Sequence, residues 1–325
     1  MTTVETLTGP VDVDNLGPTL MHEHVFTLDA EYLRNYGEGA WWDEDAELER
    51  AVDKLNRLAD KGIRTIVDPT VLGLGRDIPR LARIADRVRV HIIVATGVYT
   101  YDSLPFPYSL QGPGLPLGGD DPLVRDFTHD LTEGIGTTGI EAAFLKCAVE
   151  HAEMSGDVER ALRSVARTSV ATGAPITVHT NAAERSADVV VDVLREEQVD
   201  LAKVVLGHVG DSTDVDWLAS LADTGAILGM DRFGLDVFAP TDARVATIVE
   251  LARRGYADRM VLSHDASCRI DWFGPDAPTV IEAGLPNWHY EHISDDVLPA
   301  LREGGVTDDQ IDEMLIRVPR RYFGG

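Results

Sequence analysis

The 325 residues carry 55 acidic against 29 basic side chains, a formal charge of −26, with an apolar content of 44%, enough for one large α/β core. A surface of that sign repels phosphate backbones and anionic membranes, so nucleic-acid and membrane partners are set aside. The opening MTTVETLTGP lacks the basic start and apolar run of a secretory signal, no stretch approaches the ~20 apolar residues of a membrane span, and two cysteines do not make a disulfide framework, so a cytoplasmic protein is expected.

In chain order, β-rich segments alternate with amphipathic ones. Strands are expected at 20–26 (LMHEHVF), 63–70 (IRTIVDPT), 91–97 (HIIVATG), 141–149 (EAAFLKCAV), 175–181 (PITVHTN), 203–209 (KVVLGHV), 226–233 (AILGMDRF) and 260–266 (MVLSHDA). Between the first two, Leu48, Val52, Leu55 and Ala59 form the stripe of a helix that packs on a sheet. Further helices are expected at 77–87, 121–135, 157–172, 184–196, 213–223 and 242–255. Eight strands alternating with helices over about 250 residues is the arithmetic of a (β/α)8 barrel, here a single domain over residues 1–325. An open doubly wound sheet is the alternative, but it wants a Gly-rich nucleotide loop after the first strand, and MHEHVF is none.

In such a barrel the active site lies at the carboxyl ends of the strands. His22, His24, Lys146, His179, His208 and Asp265 all fall there. In a strand, residues two apart point the same way, so His22 and His24 can share the barrel interior. Taken singly, each histidine reads more readily as a core residue and Asp265 as a turn or N-cap residue; their joint placement at strand ends is what points to a metal. His264, next to Asp265, should point away. Lys146 is costly to bury as an ammonium in AAFLKCA. Either burial lowers its pKa until the neutral amine takes up carbon dioxide as a carbamate, or it pairs with a core carboxylate such as Asp68 or Asp231. Cys147 must face the opposite way, toward the helices.

The set MHEHVF, FLKCA, PITVHT, VVLGHVGDS, GMDRFG and VLSHDAS resembles the phosphotriesterase-like branch of the amidohydrolase superfamily along essentially the whole chain. The resemblance implies two divalent metal ions, usually zinc with cobalt, iron or manganese as substitutes. His22, His24 and Asp265 would hold the more buried ion and His179 and His208 the more exposed one, with carboxylated Lys146 and a hydroxide between them. Asn181 departs from the His-Thr-His that relatives often carry after this strand. It further implies a homodimer and no organic cofactor.

Within that branch the chain leans toward lactonases that open N-acyl homoserine lactones, including quorum-quenching enzymes of actinobacterial type. Tyr99 follows strand three, where related lactonases place a tyrosine beside the metals, although Tyr101 shares its face; Arg232 follows strand seven. Their bland readings are a rim aromatic and an Asp231–Arg232 surface pair. The implied mechanism is attack of the hydroxide on the lactone carbonyl, with Asp265 as proton acceptor and Tyr99 and Arg232 orienting the ring. The Pro- and Gly-rich segment 100–122 is expected to line the barrel mouth. After strand eight, Cys268, Ile270, Trp272 and Phe273 are expected to meet the substrate's acyl chain, unless the aromatics pack a lid or an interface. The other readings are a dedicated phosphotriesterase or esterase and a metal-stabilised barrel that binds a small ligand without turnover.

Overall fold

A computed structural model describes residues 2–324. Eight parallel strands form one sheet in sequential order: β1 (Thr19–Leu20), β2 (Thr65–Asp68), β3 (His91–Gly97), β4 (Phe144–Val149), β5 (Ile176–Thr180), β6 (Val204–Gly207), β7 (Ile227–Met230) and β8 (Met260–Leu262). The seam between β1 and β8 is closed by the Met21 N–H on the Leu262 carbonyl (3.4 Å) and the Asp265 N–H on the His22 carbonyl (3.0 Å). Beyond these bonds, His24–Thr27 runs parallel to Ser267–Ile270 with His24 opposite Ser267. The result is the expected (β/α)8 barrel.

Strand alternation divides the apolar side chains into two cores. Leu145, Cys147 and Val149 of β4 face outward with Val178, Leu206 and Leu228 into the layer shared with the helices. Phe144 faces inward with Val67, Ile93, Val205, Ile227 and Val261 and fills the barrel floor. The C-terminal helix Val318–Gly324 plugs that floor through Val318 and Tyr322, whose hydroxyl lies 2.9 Å from that of Thr177. The surrounding helices bury one stripe each; Glu44–Asp60 buries Leu48, Ala51, Val52, Leu55, Leu58 and Ala59. Part of the acidic excess has a local use, because Asp43, Asp77, Asp121 and Asp214 accept the first-turn amide hydrogens of their helices. Among the described residues no helix is long and apolar enough to cross a membrane.

Three expected strands end early, and each early end falls at a candidate site residue. The segment expected as one strand at 20–26 is broken at Met21–Glu23, where the His22 N–H turns to the Ser263 hydroxyl (2.7 Å). β6 stops at Gly207, and His208 takes a left-handed φ of 68°. β8 stops at Leu262, and Asp265 has φ 56°. Non-glycine residues enter that region at a cost, and such residues gather at functional sites.

Candidate active site

The inward positions at the carboxyl ends of the strands converge. His22, within the break after β1, and His24, at the start of the segment that follows it, present Nε2 to Oδ1 of Asp265 at 3.5 and 3.2 Å. The Nε2 of His208 lies 3.9 Å from Oδ2 of the same carboxylate. Lys146 Nζ, from the middle of β4, lies 3.3 Å from His22 Nε2. The His179 ring sits edge-on to that of His208 with centroids 4.6 Å apart. All five of these basic side chains are buried.

The far sides of the rings are fixed by carboxylates. One oxygen of Asp231 lies 3.0 Å from His22 Nδ1 and the other 3.0 Å from His208 Nδ1. His24 Nδ1 lies 2.7 Å from the Thr70 hydroxyl, which donates in turn to Asp68. In His22, His24 and His208 the Nδ1 therefore carries a hydrogen, which leaves Nε2 as the atom that faces the centre. His22, His24 and Asp265 place donor atoms within 4.8 Å of one another. Asp231 lies equally close to His22 and His208, but it faces their Nδ1 atoms and so orients rings. Nitrogen and carboxylate donors with their supporting shell already satisfied are what a divalent cation requires.

Electrostatics agree with that reading. Burial works against a charge on His24, yet Asp265 and Asp68 lift it to about 9, so a proton occupies ground that a cation would take. Burial lowers Lys146 to about 8 against the pull of Asp265 and Asp231. Among the described residues no carboxylate lies within 4.0 Å of its Nζ, so the alternative ion pair with Asp68 or Asp231 is not formed. Burial also depresses His179, to about 4. Asp265 stays well below the usual carboxylate range: burial opposes this, but His22, His208 and the bond to His24 prevail.

Both candidate tyrosines reach the site. Their hydroxyls bond to each other, and those of Tyr99 and Tyr101 lie 3.4 Å from His179 Nδ1 and Nε2 respectively. Arg232 does not pair with Asp231. Its Nε reaches Asp265 Oδ2 and its Nη1 reaches Asp211 Oδ2, both at 3.1 Å, while its guanidinium lies over the Phe238 ring.

Above these residues opens a cavity of about 600 Å³, walled by Leu235, Phe238, Ile270, Trp272, Phe273 and Trp288. Two expectations need correction. Cys268 does not line the cavity; its Sγ is buried in the outer core 3.3 Å from the Tyr290 hydroxyl, because its strand neighbour Ser267 faces the cavity and successive residues point opposite ways. Of segment 100–122 only Tyr101 reaches the cavity. Arg160 draws the rest back toward the helices through Asp121 and the carbonyls of Tyr108 and Gln111.

His264 turns away as expected, toward Glu23. Sequence reasoning missed Glu150, which accepts from His179 Nε2 (2.8 Å) and Asn181 Nδ2 (2.9 Å). The departure at Asn181 thus supports the same carboxylate that holds His179. Glu150 stands one residue beyond β4, where barrel geometry alone could have flagged an acidic side chain. Asp231, considered only as a partner of Lys146 or Arg232, follows β7 in the same way.

A model of the phosphotriesterase family matches residues 2–323. A "Phosphotriesterase homology protein" of Mycobacterium tuberculosis is 47% identical over 323 residues, covering 99% of this chain and 98% of its own. An "Aryldialkylphosphatase" of Saccharolobus solfataricus is 34% identical over 313 residues, covering 96% of each. The solved structure of the phosphotriesterase from Mycobacterium tuberculosis superposes with a TM-score of 0.96 at 47% identity, over 99% of this chain and 98% of that one.

Proposed function

The chain belongs to the phosphotriesterase family, and from that premise we propose that it is a metal-dependent hydrolase that opens lactone rings. N-acyl homoserine lactones are the foremost candidates, with phosphotriester hydrolysis as a lesser activity. The observation that carries this reading is the floor of the cavity, where His22, His24, Lys146, His179, His208 and Asp265 converge beneath an apolar wall.

Two divalent ions would be held by those six residues, Lys146 as its carbamate, and would supply electrophilic polarisation and a lowered water pKa. The remaining roles belong to the chain. Asp265, ionised and tied to His24 and Arg232, is placed to accept a proton from the attacking water and return one to the leaving alkoxide. Tyr99, Tyr101 and Arg232 are the hydrogen-bond donors at the floor, suited to the two oxygens of a cyclic ester. Leu235, Phe238, Ile270, Trp272 and Phe273 offer an acyl chain an apolar surface.

A second reading, a dedicated phosphotriesterase, is favoured by the printed name of the Saccharolobus relative. Relative kcat/KM on a long-chain N-acyl homoserine lactone and an aryl phosphotriester separates the two.

A further inference from the structure

Asp265 holds a left-handed backbone, φ 56°, which an L-residue keeps only where its surroundings fix it. Here one carboxylate brackets it. Glu23 Oε1 accepts the amide hydrogen of His264 at 2.8 Å, and Oε2 accepts that of Ala266 at 3.1 Å, so the amides on either side of Asp265 are both taken by Glu23. The Asp265 N–H itself goes to the His22 carbonyl. His264 adds a third bond, from Nδ1 to Oε1 at 2.6 Å, while its Nε2 accepts the Ile293 amide hydrogen at 2.9 Å. A ring nitrogen that accepts a backbone hydrogen carries none of its own, so His264 is held as the neutral Nδ1–H tautomer.

Glu23 and His264 are both completely buried, and neither lines the cavity. Among the described residues no lysine or arginine lies within 4.0 Å of the Glu23 carboxylate. A buried carboxylate without a cation is costly to keep, and an apolar side chain would pack a barrel seam at less cost. Its place in the chain is informative. Glu23 stands between His22 and His24 and points away from the cavity, so one tripeptide supplies two rings to the floor and, on its other face, the clamp for the third ligand.

We propose that Glu23 is a positioning residue. By accepting the two amides that flank Asp265 it fixes the left-handed turn and aims the Asp265 carboxylate at His22 and His24. This rests on the reading of the floor as a metal centre.

The test compares wild type with Glu23→Gln and Glu23→Asp. Glutamine turns a donor NH2 toward one of the two amide hydrogens and breaks half the bracket; aspartate keeps the charge but shortens the reach. Cobalt(II) affinity is measured by chelator competition, the visible spectrum of the cobalt form is recorded, and kcat, KM and the melting temperature of the cobalt-free protein are determined. Glu23→Gln should bind cobalt about 10- to 100-fold more weakly, with an altered spectrum and a lower kcat at unchanged KM. Its cobalt-free melting temperature should stay within about 5 °C of wild type, and Glu23→Asp should fall between. Wild-type affinity and spectrum in Glu23→Gln would overturn the proposal. If the glutamine variant does not fold, the aspartate variant decides by the same readouts; failure of both to fold overturns it in favour of a seam role alone. A wild type that takes up no stoichiometric cobalt is a separate outcome, which removes the metal-centre reading and the proposal with it.

Discussion

The Nε of Arg232 lies 3.1 Å from Oδ2 of Asp265. The same guanidinium spans to Asp211, which is gripped from its other side by the buried Arg244 at 2.6 Å. Arg232 is therefore braced, and it keeps its charge beside the carboxylate assigned to proton transfer. Arg232→Met should lower lactone kcat/KM by about 10²-fold through loss of a donor at the ester oxygens. Asp265→Asn should lower turnover by at least about 10²-fold. Steady-state kinetics at matched metal content check both, and unchanged turnover would reject the assigned role.

Asp231 serves two rings with one carboxylate, so its neutral analogue cannot replace it. In Asp231→Asn one of the two Nδ1 hydrogens, on His22 or His208, meets an NH2 donor. Metal affinity should fall about 10- to 100-fold, read by chelator competition against wild type. Retained affinity would show that the rings are oriented by packing instead.

Lys146 at about 8 leaves about a tenth of the side chain as free amine at pH 7. Carbamate formation joins that nitrogen to the carbon of carbon dioxide and releases a proton. Metal reconstitution of the stripped protein should therefore quicken with added bicarbonate and, at fixed dissolved carbon dioxide, as pH rises from about 6 toward 8. Indifference to both would argue against a carbamate. The stability of the stripped protein carries the same sign. Between about 8 and the ordinary 10.5, the unfolded lysine binds a proton that the folded one does not, so the Lys146 contribution grows more favourable with rising pH. Below about 8 its full penalty remains. The stability gap between Lys146→Met and wild type should narrow across that window in denaturant titrations at successive pH values.

Both cysteines are buried and unpaired, and burial pushes their thiols up, Cys147 to about 12 and Cys268 to about 11. Neither is a reactive thiolate in the native protein. A chromogenic disulfide should titrate no fast thiol in the folded protein and two after denaturation. A fast native thiol would place Cys268 in the cavity after all.

The barrel was legible because its signals are periodic: alternation in FLKCAV sent Lys146 inward and Cys147 outward, and the Leu48–Ala59 stripe marked a helix. The candidate ligand positions were legible as inward positions at or near strand ends. What stayed hidden depends on leaving the regular lattice. The break at Met21–Glu23 contains no glycine, and the left-handed positions themselves are held by His208 and Asp265 where a glycine would be the usual signal. Asp231 and Glu150 support rings more than 20 residues away in sequence, His208 and His179, a relation set by closure of the barrel and invisible to local pattern. Cys268 was misplaced because it was grouped with the loop after strand eight, whereas alternation carried on from inward Asp265 and Ser267 puts it with Ala266 in the outer core. Segment 100–122 was expected at the mouth from its composition, but the half-buried salt link of Arg160 to Asp121 decides its course.

The most direct test is kcat/KM of the metal-reconstituted protein for a long-chain N-acyl homoserine lactone beside an aryl phosphotriester, each with and without chelator. A metal-dependent lactonase predicts chelator-sensitive lactone hydrolysis that exceeds phosphotriester hydrolysis by at least about 10²-fold. Lactone hydrolysis that is absent, or slower than phosphotriester hydrolysis, would contradict it.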